Sequence, residues 1–319
     1  MLQQVLAAIT LVAVLIQANS ASAAFIARWS FDEESGTVAD NSAGSFDGTL
    51  QGGAAFAPGQ GIAGGAVSLD AATNGLVNMG DHYGFSGFDA FSMQAWVKNT
   101  MTAGSLVISR HVAGIMKGYF VALNDAGDGA GAPQGSFHLY QSDVPNQHSG
   151  DLDINDGEWH QIVATRSQAT GVRLYVDGVR VPGPDSSGTI KSIASTPAPF
   201  LVGGYQLGMN LTGSYTGLVD EVRIWTHALT DEEVAWFFAN PTAIALPVCG
   251  DANGSSDLSA TDALFTLRSA VGTSSCELCV CDANGSGGVT ATDSLLILKK
   301  GVGQAVDLTC PDCTVAAGS

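Results

Sequence analysis

Trp159-His160-Gln161-Ile162-Val163-Ala164-Thr165, then Val172-Arg173-Leu174-Tyr175-Val176, the pair Asp177-Gly178, and Val179-Arg180-Val181 form the stretch whose reading decides the fold. Apolar and polar residues alternate along it, which is the period of a β-strand. Asp-Gly between two alternating runs is a hairpin signal, because both residues tolerate the positive φ of a tight two-residue turn. Outward from this stretch the same pattern recurs. Phe25 to Phe31 and Phe91 to Val97 alternate in the same way, and Gly, Asn, Asp and Pro separate such runs up to about Pro241. Many short strands divided by turns predict a mainly β, two-layer antiparallel sandwich. One short helix is expected over Thr230 to Phe238, with Thr230 as its cap and Glu233 three residues on, as in a capping box.

Composition agrees with this reading. A chain of 319 residues suits two domains better than one core. Its 40 glycines and 13% charged residues fit a turn-rich β protein. Twelve basic against 30 acidic residues leave a formal net charge of -18. That field disfavours nucleic acid and anionic lipid, which need Lys/Arg patches, and attracts divalent cations. The apolar run Val5 to Ile16 is too short to span a bilayer and is followed by Ala21-Ser22-Ala23, a small-residue cleavage pattern. Residues 1–23 therefore read as an export signal, and the mature protein as secreted, with no membrane insertion. The sandwich takes 24–241, a Pro-containing connector 242–248, and a second module 249–313.

The second module holds all six cysteines, Cys249, Cys276, Cys279, Cys281, Cys310 and Cys313. An even, clustered count in an exported chain reads as a disulfide framework whose pairing the sequence leaves open. Cys276/Cys279 and Cys310/Cys313 also form two C-x-x-C pairs, which leaves zinc as an alternative. Between them lies a duplication. The stretch Asp251 to Asp262 matches Asp282 to Asp293 at an offset of 31 residues, and the match runs on into the apolar helices expected at Ala263 to Val271 and Ser294 to Val302. Calcium takes six to eight oxygen ligands from a tightly wound loop. Positions 1, 3 and 5 supply Asp251, Asn253 and Ser255, and again Asp282, Asn284 and Ser286. Position 7 supplies the carbonyl of Asp257 or Gly288, and position 12 the carboxylate of Asp262 or Asp293. Calcium is thus the expected cofactor. Ser at position 5 in both loops, and Ser256 at position 6 of the first where Gly eases the turn, predict modest affinity.

Two resemblances follow from these residues. Trp29 to Gly36 with Asp40-Asn41-Ser42, Gly64 to Asp70, Phe91 to Lys98, Glu158 to Ala164, Leu174 to Gly178, Tyr215 to Trp225 and Ala228 to Glu233 occur in the order of laminin-G-like, concanavalin A-like jelly-roll domains, which the segment resembles. That resemblance implies a glycan or an extracellular protein as ligand and a structural calcium near the first loop and last strand, for which Asp40, Asn41 and Asp220 are candidates. The duplicated module resembles dockerin repeats, which implies a cohesin-like docking partner; Ala260-Thr261 and Ala291-Thr292 stand at the recognition positions in both copies.

The leading reading is a non-catalytic secreted protein, lectin- or adhesion-like, with a docking or anchoring module. The alternative is a polysaccharide-degrading glycosyl hydrolase or an accessory subunit of one. Its candidate carboxylates are Asp151 and Asp153, two positions apart and so on the same strand face, with Asp156 expected in the turn that follows. His111, His138, His148 and His160 lack any accompanying nucleophile motif, so no catalytic residue is assigned. Trp29, Trp96, Trp159 and Trp225 are expected in the core, and Tyr83, Tyr140 and Tyr205 are the candidates for stacking on sugar.

Overall fold

A computed structural model describes residues 26–113, 117–124, 137–141, 147–148, 154–181, 190, 192–195, 197–255, 257–311 and 313. Residues 1–23, read above as an export signal, lie outside the described residues with Asp151, Asp153 and Ser256, as does the side chain of Tyr140.

Two sheets form the sandwich. The first runs Val179–Val181, Gly171–Val176, His160–Ser167, Phe91–Lys98, Gly217–Trp225, Val67–Leu69 and Ala55–Phe56, with Ala27–Trp29 also paired to Gly217–Trp225. The second runs Gln147–His148, Phe137–Gln141, Lys117–Leu123, Ser105–Ala113, Leu201–Val202, Leu76–Asn78, Gly48–Gln51 and Val38–Ala39. A hairpin of Gly204–Leu207 and Asn210–Gly213 adds to its side, in parallel with Ser105–Ala113. The opening stretch behaves as read: Asp177 and Gly178 take φ of 49° and 77°, the double positive φ of a tight hairpin, and Val176 pairs with Val179. Trp159 is the exception. It lies ahead of the strand, which begins at His160, and is half-buried rather than part of the core.

Alternation sorts the side chains between two layers. Trp29, Phe91, Met93, Ile162, Ala164, Val222 and Ile224 point between the sheets with Tyr119 and Phe200 of the other layer. Their neighbours Val163, Tyr175 and Trp225 point the other way and are buried too. What covers them is helix α1, Asp231–Ala239, which lays Val234 and Phe237 on that outer face. Thr230 caps α1 in the expected box: the Glu233 amide donates to the Thr230 hydroxyl and the Thr230 amide to Glu233. The segment after α1 stays on the same face, since Arg223 donates to the Pro241 carbonyl and Ala243 and Leu246 pack against the cluster.

The C-terminal part contains α2 (Ala260–Ala270), the short α3 (Leu278–Cys281) and α4 (Ala291–Gly301). Both long helices begin three residues earlier than the apolar pattern indicates, so Asp262 and Asp293 sit inside the first helical turn. The face between α2 and α4 is made of small or mixed residues, Ala263, Thr266, Ser294 and Ile297, and the Ser294 hydroxyl donates to the Ala263 carbonyl at 2.7 Å. The cysteines pair as Cys249–Cys310, Cys276–Cys281 and Cys279–Cys313. That pairing leaves no thiolate for zinc and removes the zinc alternative, because neither C-x-x-C pair remains free to ligate. Among the described residues, no helix is long and apolar enough to cross a membrane.

Candidate metal centres

The two acidic loops are built alike at their Asp, Asn and Ser positions. In the first, the Ser255 amide donates to Asp251 Oδ1 and Asn253 Oδ1, both at 2.9 Å. In the second, the Ser286 amide donates to Asp282 Oδ1 and Asn284 Oδ1, again at 2.9 Å. The hydroxyl at position 5 reaches the carbonyl at position 7, Ser255 to Asp257 at 3.1 Å and Ser286 to Gly288 at 3.2 Å. The position-12 carboxylate closes each loop. Asp262 accepts from the Asn253 and Ser259 amides, and Asp293 from the Asn284 and Thr290 amides. Every residue expected from positions 1, 3, 5, 7 and 12 therefore belongs to one compact hydrogen-bonded loop in each copy.

Asp262, Asp282 and Asp293 are fully buried and Asp251 nearly so. Burial resists ionisation of Asp282, but the amides of Gly287 and Ser286 outweigh it and hold its carboxyl below the ordinary range. Among the described residues no three His, Cys, Asp or Glu side chains converge as a metal site. The donors in each loop are instead a mixed oxygen set of carboxylate, amide, hydroxyl and backbone carbonyl, which suits a hard cation such as calcium. The apolar position-8 residues, Leu258 and Val289, are half-buried; Leu258 lies against Gly250, whose other neighbours are Leu308 and Ile297.

In the sandwich, the structure gives Asp40, Asn41 and Asp220 separate tasks. Asp40 is exposed, and its amide is hydrogen-bonded to Glu33. Asn41 Oδ1 accepts from the amides of Arg28 and Ala43, and its Nδ2 donates to the Phe46 carbonyl and Tyr83 hydroxyl, so it is spent on holding its own loop. Asp220 is fully buried, with Oδ1 on the Glu221 amide at 2.6 Å and Oδ2 on the Ile62 amide at 3.0 Å. Asp32, which the sequence reading passed over, reaches the same 61–65 loop: its Oδ1 accepts from the Gly65 amide at 2.7 Å. Glycine is required there, because a Cβ on Gly64 would stand 2.2 Å from Asp32 Oδ1 and one on Gly61 2.6 Å from Asp220 Oδ2. Asp32 sits in a run of three acids, Asp32-Glu33-Glu34, and nothing in the local pattern singles it out.

The charge around Asp220 is uneven. The strand bulges between Asp220 and Arg223, and Glu221 there takes a positive φ of 48°. This turns Glu221 between two arginines, with Arg28 Nε donating at 2.8 Å and Arg223 Nη2 at 2.7 Å. Glu221 is therefore paired, whereas among the described residues the hydrogen bonds to Asp220 come from backbone amides. Burial, joined by the charge of Glu221, pushes Asp220 up to about 8.

A cleft of about 430 Å³ opens at one end of the first sheet, where Asp70, Lys98, Asn99, Thr100 and Thr216 line it. Asn99 is engaged with Ile154 and Met101, and Thr216 with Ala71; Lys98 is the cationic residue among those lining it. Of the stacking candidates, Tyr83 packs edge-on against Trp29 and Phe200, and Tyr205 is half-buried in the side hairpin. Phe46, stacked on His82, is the more exposed aromatic of that corner. Asp156 lies in the turn before His160, as expected, and both it and Asp177 contact the His160 ring.

Residues 69–235, slightly over half of the chain, match the family model described as the Concanavalin A-like lectin/glucanases superfamily, and the chain belongs to that superfamily. No curated protein sequence matches it. Similar solved structures include domain 4 of AbnA, a GH43 extracellular arabinanase from Geobacillus stearothermophilus, in complex with arabinotriose. It is 21% identical with a TM-score of 0.49, over 67% of this chain and 98% of that one. The binding domain of Paraclostridial Mosquitocidal Protein 1 is 14% identical with a TM-score of 0.52, over 68% of this chain and 52% of its own. Trypanosoma rangeli sialidase in complex with sialic acid is 14% identical with a TM-score of 0.50, over 70% of this chain and 34% of its own. The chain thus spans about half of the second and a third of the third. The likeness to the second and third, at TM-scores of 0.52 and 0.50, shows the fold alone.

Proposed function

We propose that this member of the concanavalin A-like lectin/glucanases superfamily is a secreted, calcium-binding protein that holds a glycan or an extracellular surface protein on its sandwich and docks through its C-terminal helices. The observation that carries the reading is the repetition, in two loops, of one hydrogen-bond pattern among the same five positions. A turn that served only to reverse the chain has no need to bury a carboxylate at both ends. In this reading Asp251, Asn253, Ser255, Asp257 and Asp262 hold one ion, and Asp282, Asn284, Ser286, Gly288 and Asp293 another. Calcium supplies the positive charge that these buried carboxylates otherwise lack.

The docking reading, with a cohesin-like partner, is supported by apolar residues that the helices turn outward. Leu264, Leu267 and Val271 on and just after α2, and Leu295, Leu298 and Val302 at the matching positions of α4, are all exposed. In the sandwich, Asp32 and Asp220 are the pair proposed for a structural ion, since Asp220 is buried with no cationic partner among its hydrogen bonds. The cleft beside Lys98 is the proposed place for a sugar, and no catalytic residue is proposed.

The test is scanning calorimetry of the full chain with calcium and with a chelator, followed by a glycan array under both conditions. Calcium is expected to raise the melting temperature of the C-terminal part. A melt that calcium leaves unchanged refutes the calcium reading; an array without binding refutes the glycan reading and leaves a protein ligand.

A further inference from the structure

Among the described residues, the C-terminal helices bury little apolar surface. Ala263, Ala283 and Ile297 form the buried apolar cluster, with Leu296 and Leu308 packed against it. The larger Leu264, Leu267, Leu295 and Leu298 face outward. A core of this size does not hold a small module together without additional constraints. The disulfides stand where such constraints act on the loops. Cys249 is two residues before Asp251, and its partner Cys310 lies 61 residues away. Cys281 directly precedes Asp282 and is joined to Cys276 across the turn that enters α3. Cys279, in α3, is joined to Cys313. Backbone hydrogen bonds tie the same pieces together: Gly250 donates to the Val280 carbonyl at 2.8 Å and Thr309 to the Ala283 carbonyl at 2.9 Å. The entry of the first loop, the entry of the second and the C-terminal segment therefore form one cross-linked unit.

We infer that this disulfide frame, rather than the apolar core, holds both acidic loops in their binding shape, so that the module's calcium affinity depends on its thiol–disulfide state. The inference rests on the calcium reading above. A loop already shaped binds without first being ordered, whereas a loop shaped only part of the time binds more weakly by that fraction. Reduction by an added dithiol converts each disulfide to two thiols while the dithiol closes to its own cyclic disulfide, and the loop entries are then released.

The experiment is isothermal calcium titration of the full chain in three forms: oxidised, treated with dithiothreitol, and carrying Cys249→Ser with Cys310→Ser. Asp262→Asn and Asp293→Asn in the oxidised chain assign heat to each loop. The expected result is that the oxidised chain binds at both loops and that the other two forms bind at least about tenfold more weakly. Equal affinity in all three overturns the inference and leaves the calcium reading standing. An oxidised chain with no loop binding overturns the calcium reading itself. Amide hydrogen exchange without calcium gives a second readout that does not require the variant to fold. Ser255, Ser286 and Gly287 amides, which bond within the loops, should be protected in the oxidised chain and lose protection on reduction. Unprotected amides in the oxidised, calcium-free chain also overturn the inference.

Discussion

Position 6 of each loop offers a test with a magnitude that can be worked out. In the second loop Gly287 has φ of 86°, and its amide donates to Asp282 Oδ2 at 2.7 Å. The space around it is open: a Cβ added there would meet nothing within 4 Å. Substituting Gly287→Ser therefore costs conformational energy alone, with no clash to relieve. An L-residue held on the left-handed side of φ costs about 1–2 kcal/mol, which is about 5- to 30-fold in an equilibrium constant. Gly287 is at the exposed tip of the loop, so without calcium a serine there relaxes and must return to the strained φ to bind. Calcium titration of the full chain with the first loop silenced by Asp262→Asn should show that loss at the second. Ser256 occupies the matching position of the first loop, and Ser256→Gly with Asp293→Asn should strengthen binding there by a similar factor. A Gly287→Ser affinity within about twofold of the parent would refute the reasoning, because the strain it invokes would then be absent.

Three further outcomes are expected. His160 lies between Asp177 at 2.8 Å and Asp156 at 3.2 Å; burial opposes its protonation, but the two carboxylates prevail and raise its pKa. Its contribution to stability is therefore complete below the unfolded value of about 6.5 and is lost as pH rises through the folded value; His160→Gln should flatten that slope in denaturant melts taken across pH. Glu221→Gln removes the partner of two buried arginines and should destabilise the sandwich by about 3–5 kcal/mol in chemical denaturation. Phe237→Ala should cost about 3–5 kcal/mol and loosen α1, read as lost amide protection across Asp231–Ala239, since Phe237 packs on Trp225 at 5.2 Å and beneath Arg223.

Much of the fold was legible because its signals are local. Period-2 alternation, Asp177-Gly178 and the Thr230–Glu233 box depend on near neighbours in sequence, and each appears in the structure where it was read. The acidic loops were legible for the same reason: their Asp, Asn and Ser residues lie within twelve positions of one another, and the duplication repeats them. What failed was non-local. Trp159 looks like the start of a strand because its neighbours alternate, yet pairing with Val97 begins only at His160. Asp32 could not be told from Glu33 and Glu34, because its distinction is the Gly65 amide 33 positions away. Gln94 and Gln161 occupy polar positions of the alternation, yet both are fully buried and bonded to each other, a pairing made between two strands.

By itself, then, the sequence determined the strand-rich sandwich, the capped helix after it and two matching acidic loops, all set by dihedral preference and spacing along the chain. Only the tertiary structure decided the cysteine pairing, the bulge that turns Glu221 to Arg28 and Arg223, and the convergence of Asp32 and Asp220 on one glycine loop. Those depend on which distant segments the packed core brings together, and no local periodicity encodes that.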